Sequence, residues 1–310
     1  MALPTYADPL ERAWYYAYLV ICTLIFIFLI APILVIIPLS FNAEPYFTFT
    51  EKMLTFDPDG YSLRWYDTLV SVGMRAPDTG SGWWADMWAN ATWVKAAKNS
   101  AIVGFWATIL ATCLGTLAAL GLSRPEMPWR RVIMAILISP MIVPIIIIAT
   151  GMFFFYSSPC GMVGLDCGRL TSTYLGVILA HTTLGIPFVI ITVTATLSGF
   201  DQSLVRAANS LGANPRTTFF KIIMPLILPG VISGGLFAFV TSFDEVVAVL
   251  FIAGPDQQTI PRQMWNGIRE QISPAILSVA TILVVVSIAL LATVELLRRR
   301  SDRLRGVTGR

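Results

Sequence analysis

The chain has 310 residues, of which 56% are hydrophobic and only 13% are charged, and its mean hydropathy is +0.73. This composition excludes an ordinary soluble globular protein and is typical of a membrane protein with several spans. The formal net charge of +3 is modest, and no basic patch lies outside the flanks of the apolar runs, so the sequence does not favour nucleic-acid binding.

Apolar runs long enough to cross a bilayer recur along the chain. They predict an all-α, polytopic membrane protein with six transmembrane helices. The first run, residues 15–41, is too long for the hydrophobic part of a signal peptide and lacks a small-residue exit, so we interpret it as a membrane helix. The predicted spans are residues 16–40, 99–122, 132–156, 173–197, 231–252 and 274–297.

These spans divide the chain into four parts. The parts are an N-terminal segment with the first helix (1–41), a polar insert (42–98), a core (99–297) that contains a helical segment at 201–223, and a basic tail (298–310). The insert is rich in tryptophan, including Trp65, Trp84 and Trp88. Aromatic side chains beside a membrane most often anchor in its interface, and direct contact with a solute or a partner is the alternative.

The stretch from 201 to 230 is the longest amphipathic segment of an otherwise apolar chain. Asp201 can cap a helix, Gly212 can end that helix in a left-handed turn, and Asn214 followed by Pro215 can start a second helix. One face of the first helix is predicted to hold Leu204, Ala208 and Leu211. The sequence therefore predicts two short helices that meet at a tight corner.

The same segment carries a spaced pattern of small and apolar residues. The pattern consists of Ala207, Ala208, Gly212, Ile223 and Pro225. It resembles the cytoplasmic coupling motif of permease subunits of binding-protein-dependent ABC importers, although Arg206 stands where that family usually has an acid. The resemblance implies contact with an ATPase through Arg206, Ala207, Ala208, Leu211, Gly212, Phe219 and Phe220.

The resemblance extends over the region from about 99 to 297. It is carried by the segments AILISPMIVPIIIIATG (135–151), LAHTTLGIPFVI (179–190) and FDEVVAVLFIAGPDQQTIPRQMWNGIREQISPAI (243–276). These segments are similar to the transmembrane domain of type I ABC importers. Among such importers, they most resemble the spermidine/putrescine-type permease family. The implied solute is a small organic cation such as putrescine or spermidine.

The resemblance also implies an assembly. Such permeases pair as two different subunits and work with two ATPase subunits and a periplasmic solute-binding protein, which would place the 42–98 insert in the periplasm. The chain lacks the phosphate loop GxxxxGK[ST]. We therefore expect a transport subunit without a cofactor of its own and not an enzyme, with ATP and Mg bound by the separate ATPase.

Asp244 and Glu245 lie inside the fifth predicted span. An ionisable side chain near the middle of a bilayer costs roughly 2.5–3.5 kcal/mol, so it needs a partner or a water-filled path. The pair forms either a cation-attracting site on the translocation pathway or a polar contact between helices or subunits. On a continuous helix the two acids point about 100° apart, so we expect only one to face a path.

His181, the only histidine, lies in the fourth predicted span beside Thr182. These two residues belong either to the translocation pathway or to a hydrogen-bonded packing contact. No second histidine or nearby cysteine accompanies His181, so no metal site is predicted.

The cysteines fall into two sets. Cys160 and Cys167 bracket the loop CGMVGLDC, whose spacing permits a disulfide on an oxidising side of the membrane, with a reduced pair as the alternative. Cys22 and Cys113 lie within apolar runs, where we expect small buried side chains.

The basic residues predict the orientation. Of the 21 lysines and arginines, 13 fall in segments on the side of the N terminus and 8 in the longer segments on the other side. The positive-inside rule then places both termini and the 201–223 segment in the cytoplasm. Together with the resemblance, this predicts a multi-pass protein of a bacterial inner membrane.

Two other functions are consistent with parts of the sequence. An ion-coupled secondary transporter would use Asp244, Glu245 and His181 as a proton or sodium site, but the sequence shows no internal repeat and this class does not explain the 201–223 segment. An ABC importer for another small organic solute is the second alternative.

Overall fold

The computed structural model describes residues 8–75, 82–124, 126–158, 168–201, 203–270 and 273–304. These residues form helices joined by short connections, with no β-strand among them, which confirms the all-α prediction. The helices are α1 (Pro9–Leu39), α2 (Glu51–Leu54), α3 (Arg64–Ser71), α4 (Trp83–Asn90), α5 (Thr92–Leu122), α6 (Arg130–Ile142), α7 (Ile145–Ser157), α8 (Tyr174–Ser198), α9 (Ser203–Ser210), α10 (Pro215–Thr218), α11 (Met224–Asp244), α12 (Val247–Ile252), α13 (Ile260–Glu270) and α14 (Ala275–Leu304).

Four helical stretches among the described residues are long and apolar enough to cross a membrane. They are Pro9–Leu39, Thr92–Leu122, Tyr174–Ser198 and Pro215–Asp244. A fifth crossing is possible if the bent pair α6 and α7 counts as one span, and the apolar part of α14 covers Ala275–Ala289. The helices thus agree with a polytopic membrane protein, and the count of six spans stays a prediction.

The third predicted span is not one helix. The helical run breaks between Ile142 and Ile145, and the two halves are bent by 105°. Val143 at the break is extended, and Pro144 follows it. Since proline has no backbone N–H and disfavours a helical conformation in the residue before it, the break falls where the sequence places this proline.

The fifth predicted span, 231–252, does not coincide with one helix. The helix runs without interruption from Pro215 through a π-helical turn at Phe219–Ile223 to Asp244, past Pro225 and Pro229. The chain then becomes extended at Glu245, and α12 forms a separate short helix. Prolines are tolerated in such a helix because neighbouring helices compensate for the lost hydrogen bonds.

Two other sequence-based details differ from the structure. The second predicted span begins at residue 99, but α5 starts at Thr92, and Ala91 separates it from α4, which ends at Asn90. Cys113 is exposed on α5 and Cys22 is half-buried on α1, so neither is the fully buried side chain that was predicted.

The chain divides into two compact units. One unit comprises Met1–Pro77 with Gly267–Arg310, where α14 packs on α1 and α3, and where the Ser278 hydroxyl donates to the Ser40 carbonyl at 3.3 Å. The other unit, Asp78–Asn266, contains α5, α8 and α11, which pack on one another. The sixth predicted span therefore belongs to the same unit as the first.

The contact between α8 and α11 is built on small residues. On α11 they recur every fourth position: Gly230, Gly234, Ala238 and Ser242. Their neighbours on α8 are Thr196, Val189, Gly185 and His181. Because the α8 positions fall as the α11 positions rise, the two helices are antiparallel, and the small side chains let their backbones approach closely.

Candidate functional site

The 201–223 segment forms the predicted corner. Ser203 donates its backbone N–H to Asp201 Oδ1 at 2.8 Å at the start of α9. Gly212 has φ +80°, and the N–H groups of Gly212 and Ala213 donate to Asn209 O and Ala208 O, which is the Schellman ending of a helix. These contacts confirm the predicted left-handed C-cap at Gly212.

The second helix of the corner begins as the sequence indicates. Asn214 Oδ1 accepts from Thr217 N at 2.7 Å, and Pro215 occupies the first turn of α10. The segment then continues into α11 through the π-helical turn, where Phe219 and Phe220 contact each other edge to face with ring centroids 5.0 Å apart. The corner is therefore held by local hydrogen bonds and is continuous with a long apolar helix.

The candidate ATPase-contact residues differ in exposure. Leu211 and Phe220 are 89% and 66% exposed, and Arg206, Ala207 and Gly212 also lie on the surface. In contrast, Ala208 is only 5% exposed, so it packs within the unit. The expectation that Leu211 shares a face with Ala208 is wrong, because α9 ends at Ser210 and Leu211 lies in the turn beyond it.

Phe219 faces a groove beside the corner. The groove has a volume of about 830 Å³. Its lining combines the end of α5 and the connection to α6 with the π-helical turn and comprises Leu117, Leu120, Gly121, Arg124, Glu126, Met127 and Phe219. Phe219, one of the predicted contact residues, therefore borders a concave surface.

Charge at the start of the corner is set by one carboxylate. The hydroxyl and then the backbone N–H of Ser203 donate to Asp201, and together with the nearby Arg206 they hold the pKa of that carboxyl below its usual value of 3.8. Asp201 therefore stays ionised at neutral pH. Arg206, Arg216 and Lys221 are exposed on the same segment, so its surface carries an excess of positive charge.

A single continuous helix joins the corner to the acidic pair. The helix Pro215–Asp244 has 30 residues, which at 1.5 Å per residue is about 45 Å long. Its first residue belongs to the corner and its last is Asp244. The corner and Asp244 are thus connected without an intervening loop.

The two acids have different surroundings, which the sequence did not reveal. Glu245 Oε1 accepts the backbone N–H of Ala248 at 2.9 Å, so its carboxylate caps α12. Asp244 is the last residue of α11 and is exposed, with no hydrogen bond or ion pair to its carboxylate among the described residues. The structure therefore distinguishes Glu245 as a helix cap and Asp244 as an exposed carboxylate.

Beyond the break, α12 is fixed from its far side. Arg262 Nη1 donates to Val249 O at 3.0 Å and to Ala253 O at 2.7 Å, at the C-terminal end of α12. Asn99 Nδ2 donates to Asp256 O at 2.7 Å and to the carbonyl of residue 258 at 2.9 Å, which ties this segment to α5. A cation at a helix C-terminus satisfies carbonyls that lack helical partners.

His181 and Thr182 are both buried in the structure. His181 is 1% exposed, and its Nδ1 lies 2.8 Å from Ser242 Oγ on α11. Thr182 is also buried, and its hydroxyl donates to Ile178 O within α8. These contacts are of the kind that the packing alternative predicts. The His181–Ser242 contact was missed from the sequence, although the recurrence of small residues every fourth position of α11 was a signal for a close helix contact.

The remaining site predictions concern cysteines and metals. Cys160 and Cys167 lie outside the described residues, so their disulfide stays a prediction. Among the residues that the structure describes, no group of three or more His, Cys, Asp or Glu side chains could hold a metal ion.

Solved structures define the class of fold. The chain superposes on a bacterial ABC transporter involved in the import of the acidic polysaccharide alginate with a TM-score of 0.64 at 15% identity, covering 96% of this chain and 99% of that chain. A second structure, the bacterial alginate ABC transporter in complex with an alginate pentasaccharide-bound periplasmic protein, gives a TM-score of 0.65 at 16% identity, with 96% of each chain covered. At this identity the likeness establishes the fold, which is that of a type I ABC importer permease.

Sequence similarity places the chain within one family. Residues 111–304 match the family described as the binding-protein-dependent transport system inner membrane component, and the chain belongs to that family. It is 29% identical to the spermidine/putrescine transport system permease protein PotC of Haemophilus influenzae, over 90% of this chain and 95% of that protein. The putrescine transport system permease protein PotI of Escherichia coli is 28% identical, over 93% and 94%.

The chain is therefore a multi-pass inner-membrane permease subunit of a binding-protein-dependent ABC importer. It is a transport subunit and not an enzyme, and ATP hydrolysis belongs to a separate ATPase subunit.

Proposed function

We propose that this permease subunit imports a small organic cation of the polyamine class, such as putrescine or spermidine. The observation that carries the proposal is similarity, over nine-tenths of the chain, to permeases named for spermidine and putrescine. The exposed carboxylate of Asp244 at the helix break is consistent with a cationic solute, because a carboxylate attracts a cation where the membrane interior would otherwise disfavour it.

The surface of the 201–223 segment is proposed to receive the ATPase. Exposed apolar side chains such as Leu211 and Phe220 on a segment that is otherwise polar are typical of a protein contact. Gly212 has no side chain and Ala207 has a small one, so a partner can approach the backbone closely. Arg206 adds an exposed positive charge beside them. Ala208 is buried beneath this surface, and Phe219 lines the groove beside it.

Asp244 is proposed as the residue of this chain that the solute meets on the translocation pathway. Glu245 contributes indirectly, because its carboxylate caps α12 and fixes the position of the break. His181 lies beside Ser242 in the contact between α8 and α11, and Thr182 is buried on α8. Closure of the ATPase would move the helix Pro215–Asp244. The site would then become accessible from one side of the membrane instead of the other.

The assembly is proposed to contain a second, different permease subunit, two ATPase subunits and a periplasmic binding protein. ATP and Mg are bound by the ATPase subunits in this arrangement, and this chain carries no cofactor. Both termini and the 201–223 segment lie in the cytoplasm, which follows from the excess of lysine and arginine in those segments.

Ligand binding to the cognate periplasmic protein tests the substrate class most directly. Calorimetric titration of that protein with putrescine and spermidine, and with uncharged and anionic solutes of similar size, should show binding only of the diamines and polyamines. Binding of an uncharged or anionic solute with no response to polyamines would refute the substrate class and would favour an importer for another organic solute.

A further inference from the structure

The last turn of α11 is held to α8 by a buried polar contact. His181 Nδ1 and Ser242 Oγ are 2.8 Å apart, and the two residues are 1% and 5% exposed. Their positions in the chain differ by 61 residues, so the contact joins two helices and does not belong to a local turn.

This contact differs from the others along the same helix pair. The three preceding positions on α11 are Gly230, Gly234 and Ala238, which contact α8 by close approach alone. Contacts of this kind hold two helices together through packing alone. A hydrogen bond is directional as well, so the His181–Ser242 contact adds a constraint on the rotation and axial register of the final turn.

The final turn of α11 carries the carboxylate of the proposed pathway. Ser242 and Asp244 are two residues apart, which places them about 200° apart around the helix axis. Ser242 accordingly faces α8 and is buried, whereas Asp244 is exposed on the other side. When Ser242 is held against α8, Asp244 is aimed away from it.

We propose that His181 is a positioning residue for Asp244, acting through Ser242. His181 itself is too deeply buried to touch a passing solute, so its role is to set the direction in which the Asp244 carboxylate points. The proposal rests on the proposed role of Asp244 in the pathway, and it adds the residue that orients that site.

The first test measures the orientation of position 244 without relying on transport. In the complete transporter, Asp244→Cys is labelled with a membrane-impermeant thiol reagent, with and without His181→Leu. If His181 orients this turn, loss of the contact changes the labelling rate by about three- to fifteenfold, the range that corresponds to a hydrogen bond between membrane helices. His181→Asn, whose amide can replace Nδ1 in the contact, should restore the original rate. An unchanged labelling rate with His181→Leu would overturn the proposal.

The second test separates positioning from general damage to the fold. Putrescine uptake and ATP hydrolysis are measured in vesicles at saturating loaded binding protein. Ser242→Ala and His181→Leu should lower uptake by a similar factor while stimulated ATP hydrolysis persists, and Ser233→Ala, an exposed serine on the same helix, is the matched control. Neither variant should lower uptake further once Asp244→Asn is present, because both act through that carboxylate.

The outcomes distinguish this proposal from the proposed pathway. If Asp244→Asn lowers uptake and His181→Leu adds an independent loss in the double variant, His181 does not act through Asp244 and the positioning role is wrong. If Asp244→Asn leaves uptake unchanged, the pathway role of Asp244 is wrong, whereas the labelling measurement still reports whether His181 orients the turn.

Discussion

Substitution of Gly234 by alanine tests the close contact between α8 and α11. A Cβ atom at this position would lie 2.8 Å from Val189 Cα. Carbon atoms in contact prefer about 3.5–4.0 Å, so the helices would have to separate by roughly 1 Å, because a backbone atom cannot rotate away. Overpacking of this kind costs about 1–3 kcal/mol, and the better helix propensity of alanine offsets about 0.8–1.0 kcal/mol of it.

Gly151→Ala is the matched control for this substitution. Gly151 also lies inside a helix, but a Cβ atom there meets nothing within 4 Å. The propensity gain is common to both variants, so their difference isolates the steric cost, about 1–3 kcal/mol. Thermal unfolding of the purified transporter should therefore show a lower midpoint for Gly234→Ala than for Gly151→Ala. Equal midpoints would refute the close packing of α11 on α8 described above.

Three further predictions concern the 201–223 segment. Gly212→Ala should weaken the coupling of uptake to ATP hydrolysis, because φ +80° costs an L-residue about 1–2 kcal/mol although the space around it is open, whereas Gly212→Asn should be tolerated better. Arg206→Glu should lower uptake by reversing an exposed charge, and a compensating acid-to-base change in the ATPase residue that crosslinks to it should restore uptake. Asp201→Ala should destabilise the protein at neutral pH. Because the Ser203 hydrogen bonds depress the pKa of Asp201, the difference in unfolding free energy between this variant and the unchanged protein should vanish as the pH falls through that lowered pKa.

Each of these predictions has a result that contradicts it. Coupled transport at the original rate in Gly212→Ala would show that the left-handed turn is not required for coupling. Failure of every charge-reversal pair would argue against an electrostatic role for Arg206. A stability difference between Asp201→Ala and the unchanged protein that persists well below pH 3.8 would show that the carboxylate does not act through its ionised form.

The features predicted correctly from the sequence are those with local causes. Gly212 ends a helix because glycine adopts positive φ without strain, and Asn214 with Pro215 starts one because the amide caps the first turn and proline suits it. These preferences act over a few residues and are visible without knowledge of the rest of the fold.

The features that sequence reasoning missed depend on distant neighbours. Nothing local interrupts the helical pattern between Asp244 and Val246. In the structure the helix ends there, the Glu245 carboxylate caps α12, and Arg262 satisfies carbonyls at the far end of that short helix. The partner of His181 is likewise 61 residues away. Periodicity does not identify such partners, so the roles of the acidic pair and of His181 became distinct only in the folded chain.

Transport in vesicles containing the complete transporter tests the central claim that this chain is the membrane component through which ATP hydrolysis drives solute uptake. Putrescine and its loaded binding protein are supplied on the periplasmic face, and ATP is supplied on the face that carries the 201–223 segment. We predict uptake that requires hydrolysable ATP and the binding protein, persists with an uncoupler, and falls when Asp244 is replaced by asparagine. Uptake that proceeds without ATP and collapses with the uncoupler would contradict this account.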